Sequence, residues 1–121
     1  MTHDELNHVA LHVADVEKSC GFYQKTLKLK LMERPDFDFP GAWFRLGDFQ
    51  ELHLIGGREN AVNSQPRSNH FALRADNLDE WEEYFRSIEQ EYVSRRIRPD
   101  GAFQIYGADP DGHHIELFTG P

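Results

Sequence analysis

A chain that carries one segment twice is restricted to folds built from two copies of one unit, and this chain does so. Asn7-His8-Val9-Ala10-Leu11 recurs 62 residues later as Asn69-His70-Phe71-Ala72-Leu73, and each copy leads into an acidic turn and an amphipathic stretch. Later pieces match as well: Arg34-Pro35-Asp36 with Arg98-Pro99-Asp100, Gly41-Ala42-Trp43 with Gly101-Ala102-Phe103, and Leu52-His53-Leu54 with Ile115-Glu116-Leu117. Module 1 therefore covers about residues 1–60 and module 2 about 61–121. A unit of that size is marginal for burying a core of its own, so the two are expected to form a single domain.

Within a module the hydrophobic period changes in a fixed order. Residues 6–13 alternate with the strand period of two, and Val16, Cys20, Tyr23 and Leu27 then fall at helical spacing behind a capping Asp15. Extended segments follow near 29–36, 42–47 and 50–55, separated by Pro40-Gly41 and Gly47-Asp48. Module 2 repeats the order with a strand over 69–75 and a helix marked by Leu78, Trp81, Phe85 and Ile88 behind Asn77. Its strands lie near 92–98, 102–107 and 113–119, the last two joined by the turn sequence Asp109-Pro110-Asp111-Gly112. The fold class read from this is α+β, two tandem βαβββ modules.

Composition narrows the function classes. A net charge of −8 sets the chain against nucleic acid and anionic membranes, and no local basic patch reverses the sign. Cys20 is the only cysteine, which excludes an intrachain disulfide and a cysteine zinc cluster and fits a reducing, cytoplasmic setting. The first residues, Met1-Thr2-His3-Asp4-Glu5, do not read as a secretory leader, and no apolar run approaches the length of a membrane span.

Strand alternation decides which side chains meet. His8, Ala10 and His12 share one face, opposite Val9, Leu11 and Val13; His70, Ala72 and Arg74 lie opposite Phe71, Leu73 and Ala75. On the fourth strand of each module, Glu51 and His53 oppose Leu52 and Leu54, and His114 and Glu116 oppose Ile115 and Leu117. The polar set His8, His53, His70 and Glu116 thus forms two repeat-related pairs, His8 with His70 and His53 with Glu116. Three imidazoles and a carboxylate suit a divalent ion such as Zn, Ni, Co, Fe or Mn.

These segments resemble the vicinal oxygen chelate superfamily, which includes glyoxalase I, fosfomycin-resistance thiol transferases, extradiol dioxygenases and bleomycin-binding proteins. The likeness runs along the whole chain. Leu6-Asn7-His8-Val9-Ala10-Leu11 with Ala14-Asp15-Val16 and Ser19-Cys20-Gly21-Phe22-Tyr23 is similar to the family's opening strand and helix. His70-Phe71-Ala72-Leu73 and Asp109-Pro110-Asp111-Gly112-His113-His114-Ile115-Glu116-Leu117 are similar to its third-ligand strand and its closing turn and strand. The resemblance implies a curved mixed sheet, a half-barrel cup with helices on its outer face, a homodimer, and a small-molecule substrate presenting two neighbouring oxygens to the ion. It implies His8, His70 and Glu116 as metal ligands, with His53 in a slot where glyoxalase I carries a carboxylate and where Glu51 is the alternative.

Glu116 is the candidate base, with Glu51 or His114 in reserve. His12 and Arg74, two strand positions beyond the inner pair, are candidates for holding an anionic part of the substrate, and Trp43, Phe103 and Tyr106 for its aromatic wall. Three readings compete: a glyoxalase-type lyase or isomerase, an Fe(II) dioxygenase using His8, His70 and Glu116 as its triad, and a metal-free binder of a cationic drug. A fosfomycin-type thiol transferase ranks lower, because Ala10 stands where those enzymes carry a hydroxyl residue.

Overall fold

A computed structural model describes all 121 residues, which divide into two compact units, Met1–Asn60 and Ala61–Pro121. In the first, β1 (His8–His12) is followed by α1 (Val16–Gly21), β2 (Lys30–Met32), β3 (Gly41–Leu46) and β4 (Gln50–Ile55). In the second, β5 (Phe71–Arg74) is followed by α2 (Leu78–Ser87), β6 (Tyr92–Ile97), β7 (Phe103–Ala108) and β8 (His114–Thr119). Each unit is βαβββ with one four-stranded mixed sheet, ordered β1-β4-β3-β2 in the first and β5-β8-β7-β6 in the second. The opening strand of each lies parallel to the closing strand and the remaining pairs are antiparallel. The class is α+β, and no helix is long and apolar enough to cross a membrane.

Burial follows the alternation in the sequence. On β3, Ala42, Phe44 and Leu46 are buried while Trp43 and Arg45 are only half-buried; on β4, Leu52 and Leu54 are buried between Glu51, His53 and Ile55. The helix covers this apolar face, as α1 packs on β3 and β4 and brings in Phe22, Tyr23 and Leu27. In the second unit α2 packs on β8, and Leu78, Phe85, Ile105, Ile115 and Leu117 form the corresponding core. The opposite face of each sheet carries the polar side chains, with Trp43 and Ile55 among them in the first unit and Phe118 in the second.

Both helices begin at the side chains that the sequence marks. The Asp15 carboxylate accepts from Lys18 N at 3.1 Å, and Asn77 Oδ1 accepts from Asp79 N and Glu80 N at 3.0 and 3.3 Å. Each cap satisfies backbone donors that lack an intrahelical partner, worth about 1 kcal/mol. The first helix is not uniform, however. After Gly21 it opens into a π-helical turn over Phe22–Thr26, where Leu27 N donates to Phe22 O five residues back. Phe22, Tyr23 and Leu27 are all buried across this turn, which narrows the arc they span on the helix.

Two sequence expectations are corrected. The second strand is three residues long rather than spanning 29–36: the chain is out of the sheet from Glu33 to Pro40, a stretch in which Pro35 and Pro40 lack the N–H groups a ladder needs. Arg34 fastens this excursion: Nη2 donates to Phe39 O at 2.9 Å and the guanidinium lies over the rings of Phe37 and Phe39. The match of Gly41-Ala42-Trp43 to Gly101-Ala102-Phe103 is not the structural one either. Trp43 pairs with His53 and Tyr106 pairs with Glu116, so the equivalent of Trp43 is Tyr106, 63 residues on. By the same register Ala10 pairs with His53 as Ala72 pairs with Glu116, which makes His53 and Glu116 repeat partners.

Candidate metal centre

In the second unit the polar face is organised around Glu116, which the sheet buries to 4% exposure despite its charge. A buried carboxylate requires donors, and β7 supplies them, since Gln104 and Tyr106 share a face. Tyr106 Oη donates to Glu116 Oε1 at 3.1 Å, and Gln104 Nε2 donates to Oε2 at 2.9 Å. Arg98 Nη1 stands 3.9 Å from Oε2. Arg98 is itself fixed by Asp100, to which its Nε donates at 3.0 Å, and this hydrogen bond with that from Ala102 N holds the Asp100 carboxyl down to about 2. Burial, reinforced by the Glu116 charge and hydrogen bond, pushes the Tyr106 phenol above its ordinary value, so its proton stays in place at neutral pH.

His70 completes this group. Its Nδ1 lies 3.0 Å from Ser68 O, an atom that only accepts, so the proton on that side belongs to Nδ1. In the neutral imidazole Nε2 is then a lone pair, and it lies 3.1 Å from Glu116 Oε1, a second acceptor. Two acceptors this close are stable together only with a positive charge between them, whether a proton on Nε2 or a metal cation. His nitrogen and carboxylate oxygen are both ligand types of divalent ions, so the pair would be available to hold one. A ligating histidine whose other nitrogen donates to a backbone carbonyl is also how proteins fix the ring for a metal.

In the first unit His8 has the same anchoring. Its Nδ1 meets Asn7 Oδ1 at 2.8 Å, which leaves Nε2 as the nitrogen for another partner. Its ring stacks on that of His53 with centroids 4.2 Å apart, and His53 stacks on Trp43 at 3.9 Å, nearly parallel. This ladder follows from the register, since His53 sits opposite Ala10 on one side and Trp43 on the other. His53 Nε2 donates to Glu51 Oε1 at 2.9 Å, with Arg45 Nη1 3.6 Å from the other carboxylate oxygen, so Nδ1 is the nitrogen His53 keeps for a ligand. Neither unit by itself gathers three His, Cys, Asp or Glu groups closely enough to hold an ion.

The remaining candidates are distributed around these pairs. His12 Nε2 meets Gly56 O at 3.1 Å. Arg74 donates to Gly120 O and lies 4.6 Å over the Phe118 ring, which engages both its charge and its flat face. Phe103 is 37% exposed, with Arg95 5.5 Å from its ring. Tyr106, beyond its bond to Glu116, meets the His70 ring edge-on at 5.5 Å. His114, the register equivalent of Glu51, has its backbone N–H held by Ser64 Oγ, while its Nδ1 is buried without a partner. Sequence reasoning missed Gln104 and Arg98. Gln104 was open to discovery, since it precedes Tyr106 by two residues on one strand; the reach of Arg98 depends on rotamers that no pattern encodes.

Comparison with known proteins identifies a family. Residues 5–117 match the model of the Glyoxalase/Bleomycin resistance protein/Dioxygenase superfamily. The chain is 34% identical over 122 residues to the lactoylglutathione lyase of Salmonella typhimurium, covering 93% of this chain and 90% of that one. It is 28% identical over 120 residues to the metallothiol transferase FosB of Staphylococcus saprophyticus, covering 95% and 76%. Among solved structures, lactoylglutathione lyase from Agrobacterium tumefaciens superposes with a TM-score of 0.79 at 23% identity, over 98% of this chain and 96% of that one. By fold and by sequence, the chain belongs to the Glyoxalase/Bleomycin resistance protein/Dioxygenase superfamily.

Proposed function

We propose that the chain is a metal-dependent enzyme of glyoxalase type, a lyase or isomerase acting as a homodimer on a small molecule with two neighbouring oxygens. The observation that carries this reading is the His70–Glu116 pair, two acceptors facing each other at 3.1 Å with the histidine proton committed to Ser68. His70 and Glu116 from one module, and His8 and His53 from the other, would hold a divalent ion, the modules coming from one chain or from two. When bound, such an ion supplies Lewis-acid stabilisation of negative charge developing on a substrate oxygen.

The chain's own groups supply the rest. Glu116 accepts a proton from the substrate carbon next to the carbonyl and returns it to the neighbouring position. Tyr106 and Gln104 keep its oxygens aimed while it does so, and Arg98 offsets its charge in a buried setting. Glu51, hydrogen-bonded to His53, is the second carboxylate available on the other module. The Trp43 ring, already flat against His53, offers an aromatic face to the substrate.

Thiol transfer is a second reading, favoured by the likeness to a relative named metallothiol transferase. Both are tested by presenting the metal-supplemented protein with the hemithioacetal of a 2-oxoaldehyde and, separately, with a thiol and an epoxide. Isomerisation that a chelator abolishes supports the first reading. Thiol adduct formation alone transfers the assignment to the second, and turnover of neither under any of the five metals contradicts both.

A further inference from the structure

The second unit carries more arginine than its carboxylates use. Arg95 is bound to Asp79 and Glu82, Arg98 to Asp100 and Glu116, and Arg86 donates to Tyr92 Oη. Arg67 and Arg96 are different: no ion pair or side-chain hydrogen bond joins either guanidinium to the rest of the chain. Both line one cleft of about 390 Å³, together with Gln65 and Pro66. In a chain with eight more acidic than basic residues, two unpaired guanidiniums on one cleft favour an anion there.

The cleft is built on fixed backbone and connects to the site. Gln65-Pro66-Arg67-Ser68 is a turn closed by Ser68 N donating to Gln65 O at 3.1 Å, with proline at the position that presets its angle. Ser68 at its end supplies the carbonyl that orients His70. Arg96 lies directly opposite Gln104 across β6 and β7, hence on the same face, and Gln104 holds Glu116. The charge of Arg96 also reaches Tyr106, where it favours the ionised form. The cleft is thus linked to His70 through Ser68 and to Glu116 through Gln104.

We infer that Arg67 and Arg96 bind an oxyanion, a carboxylate or a phosphate-type group on a small ligand whose other end extends toward His70 and Glu116. Guanidinium forks suit such groups because their paired N–H bonds match the oxygen spacing. The placement of the far end rests on the proposed function; the anion site does not, and it requires no metal.

The test is an NMR titration of the chain with inorganic phosphate and, separately, with acetate, following the Arg Nε–H signals with and without EDTA. Saturable shifts at Arg67 and Arg96 that persist in EDTA are expected, and the stronger of the two probes identifies the headgroup. Arg67→Gln and Arg96→Gln should each weaken binding about tenfold, the loss of one charged hydrogen-bonding partner, with unchanged circular dichroism. Arg96→Lys should recover part of it. Absence of saturable shifts at these signals, equal binding by the double variant, or binding only when a divalent ion is added would overturn the inference. Because this readout needs no turnover, loss of the enzymatic reading would leave it standing, and the reverse.

Discussion

Glu116→Gln is expected to lower kcat/KM by about 10²–10⁴-fold, the usual contribution of a positioned proton-transfer group, while the protein remains folded. The fold tolerates the change because of how the carboxylate is partnered. Turned toward His70, the new amide N–H donates to the Nε2 lone pair, and the Tyr106 hydroxyl can rotate to accept. The amide oxygen keeps the bond from Gln104. Thermal unfolding should therefore move by only a few degrees, corresponding to about 1 kcal/mol. A variant that unfolds would show the carboxylate to be chiefly structural, and one with full activity would remove Glu116 from the chemistry.

Phe44→Ala carries the largest expected effect on stability. Phe44 is fully buried on the core face of β3, its ring 6.0 Å from that of Tyr23 on the helix side. Emptying such a position costs about 3–5 kcal/mol, a large part of the 5–15 kcal/mol that holds a typical domain together. Trp43, one residue earlier, faces the other way onto His53, so Trp43→Ala should cost less in a denaturant titration while weakening metal retention. Adjacent residues with opposite consequences follow from strand parity alone. If Trp43→Ala proves the more destabilising, the assignment of core and polar faces is reversed.

Parity is also why much of the fold could be read from the chain. The alternation in Val9-Ala10-Leu11 and in Glu51-Leu52-His53-Leu54 is a backbone property, and burial follows it residue by residue. Caps were equally readable at Asp15 and Asn77, because short polar side chains there answer a local backbone need. What escaped was set by packing at a distance. The π-helical turn after Gly21 depends on how Phe22, Tyr23 and Leu27 meet the sheet, and the small-residue match of Gly41 with Gly101 concealed the true equivalence of Trp43 with Tyr106.

The site divides in the same way. The positions of His8, His53, His70 and Glu116 on their faces were visible, since the repeat doubles every signal. Ring orientation was not. That Asn7 and Ser68 each take the Nδ1 side of a histidine, and that His53 gives its Nε2 to Glu51, depends on rotamers chosen by neighbours. Nothing in the sequence pattern sets Arg67 and Arg96 apart from Arg95 and Arg98; only the cleft they line does.

If donors from both modules serve one divalent ion, as proposed above, elemental analysis reads it as metal stoichiometry. Protein prepared without chelator or tag should hold about one ion per chain, as one four-donor site per chain implies. His70→Ala, on module 2, and His8→Ala, on module 1, should each lose most of it. His53→Ala should lose it too if that residue, rather than Glu51, is the fourth ligand. Retention of the full ion content when the histidines of either module are removed would contradict the account.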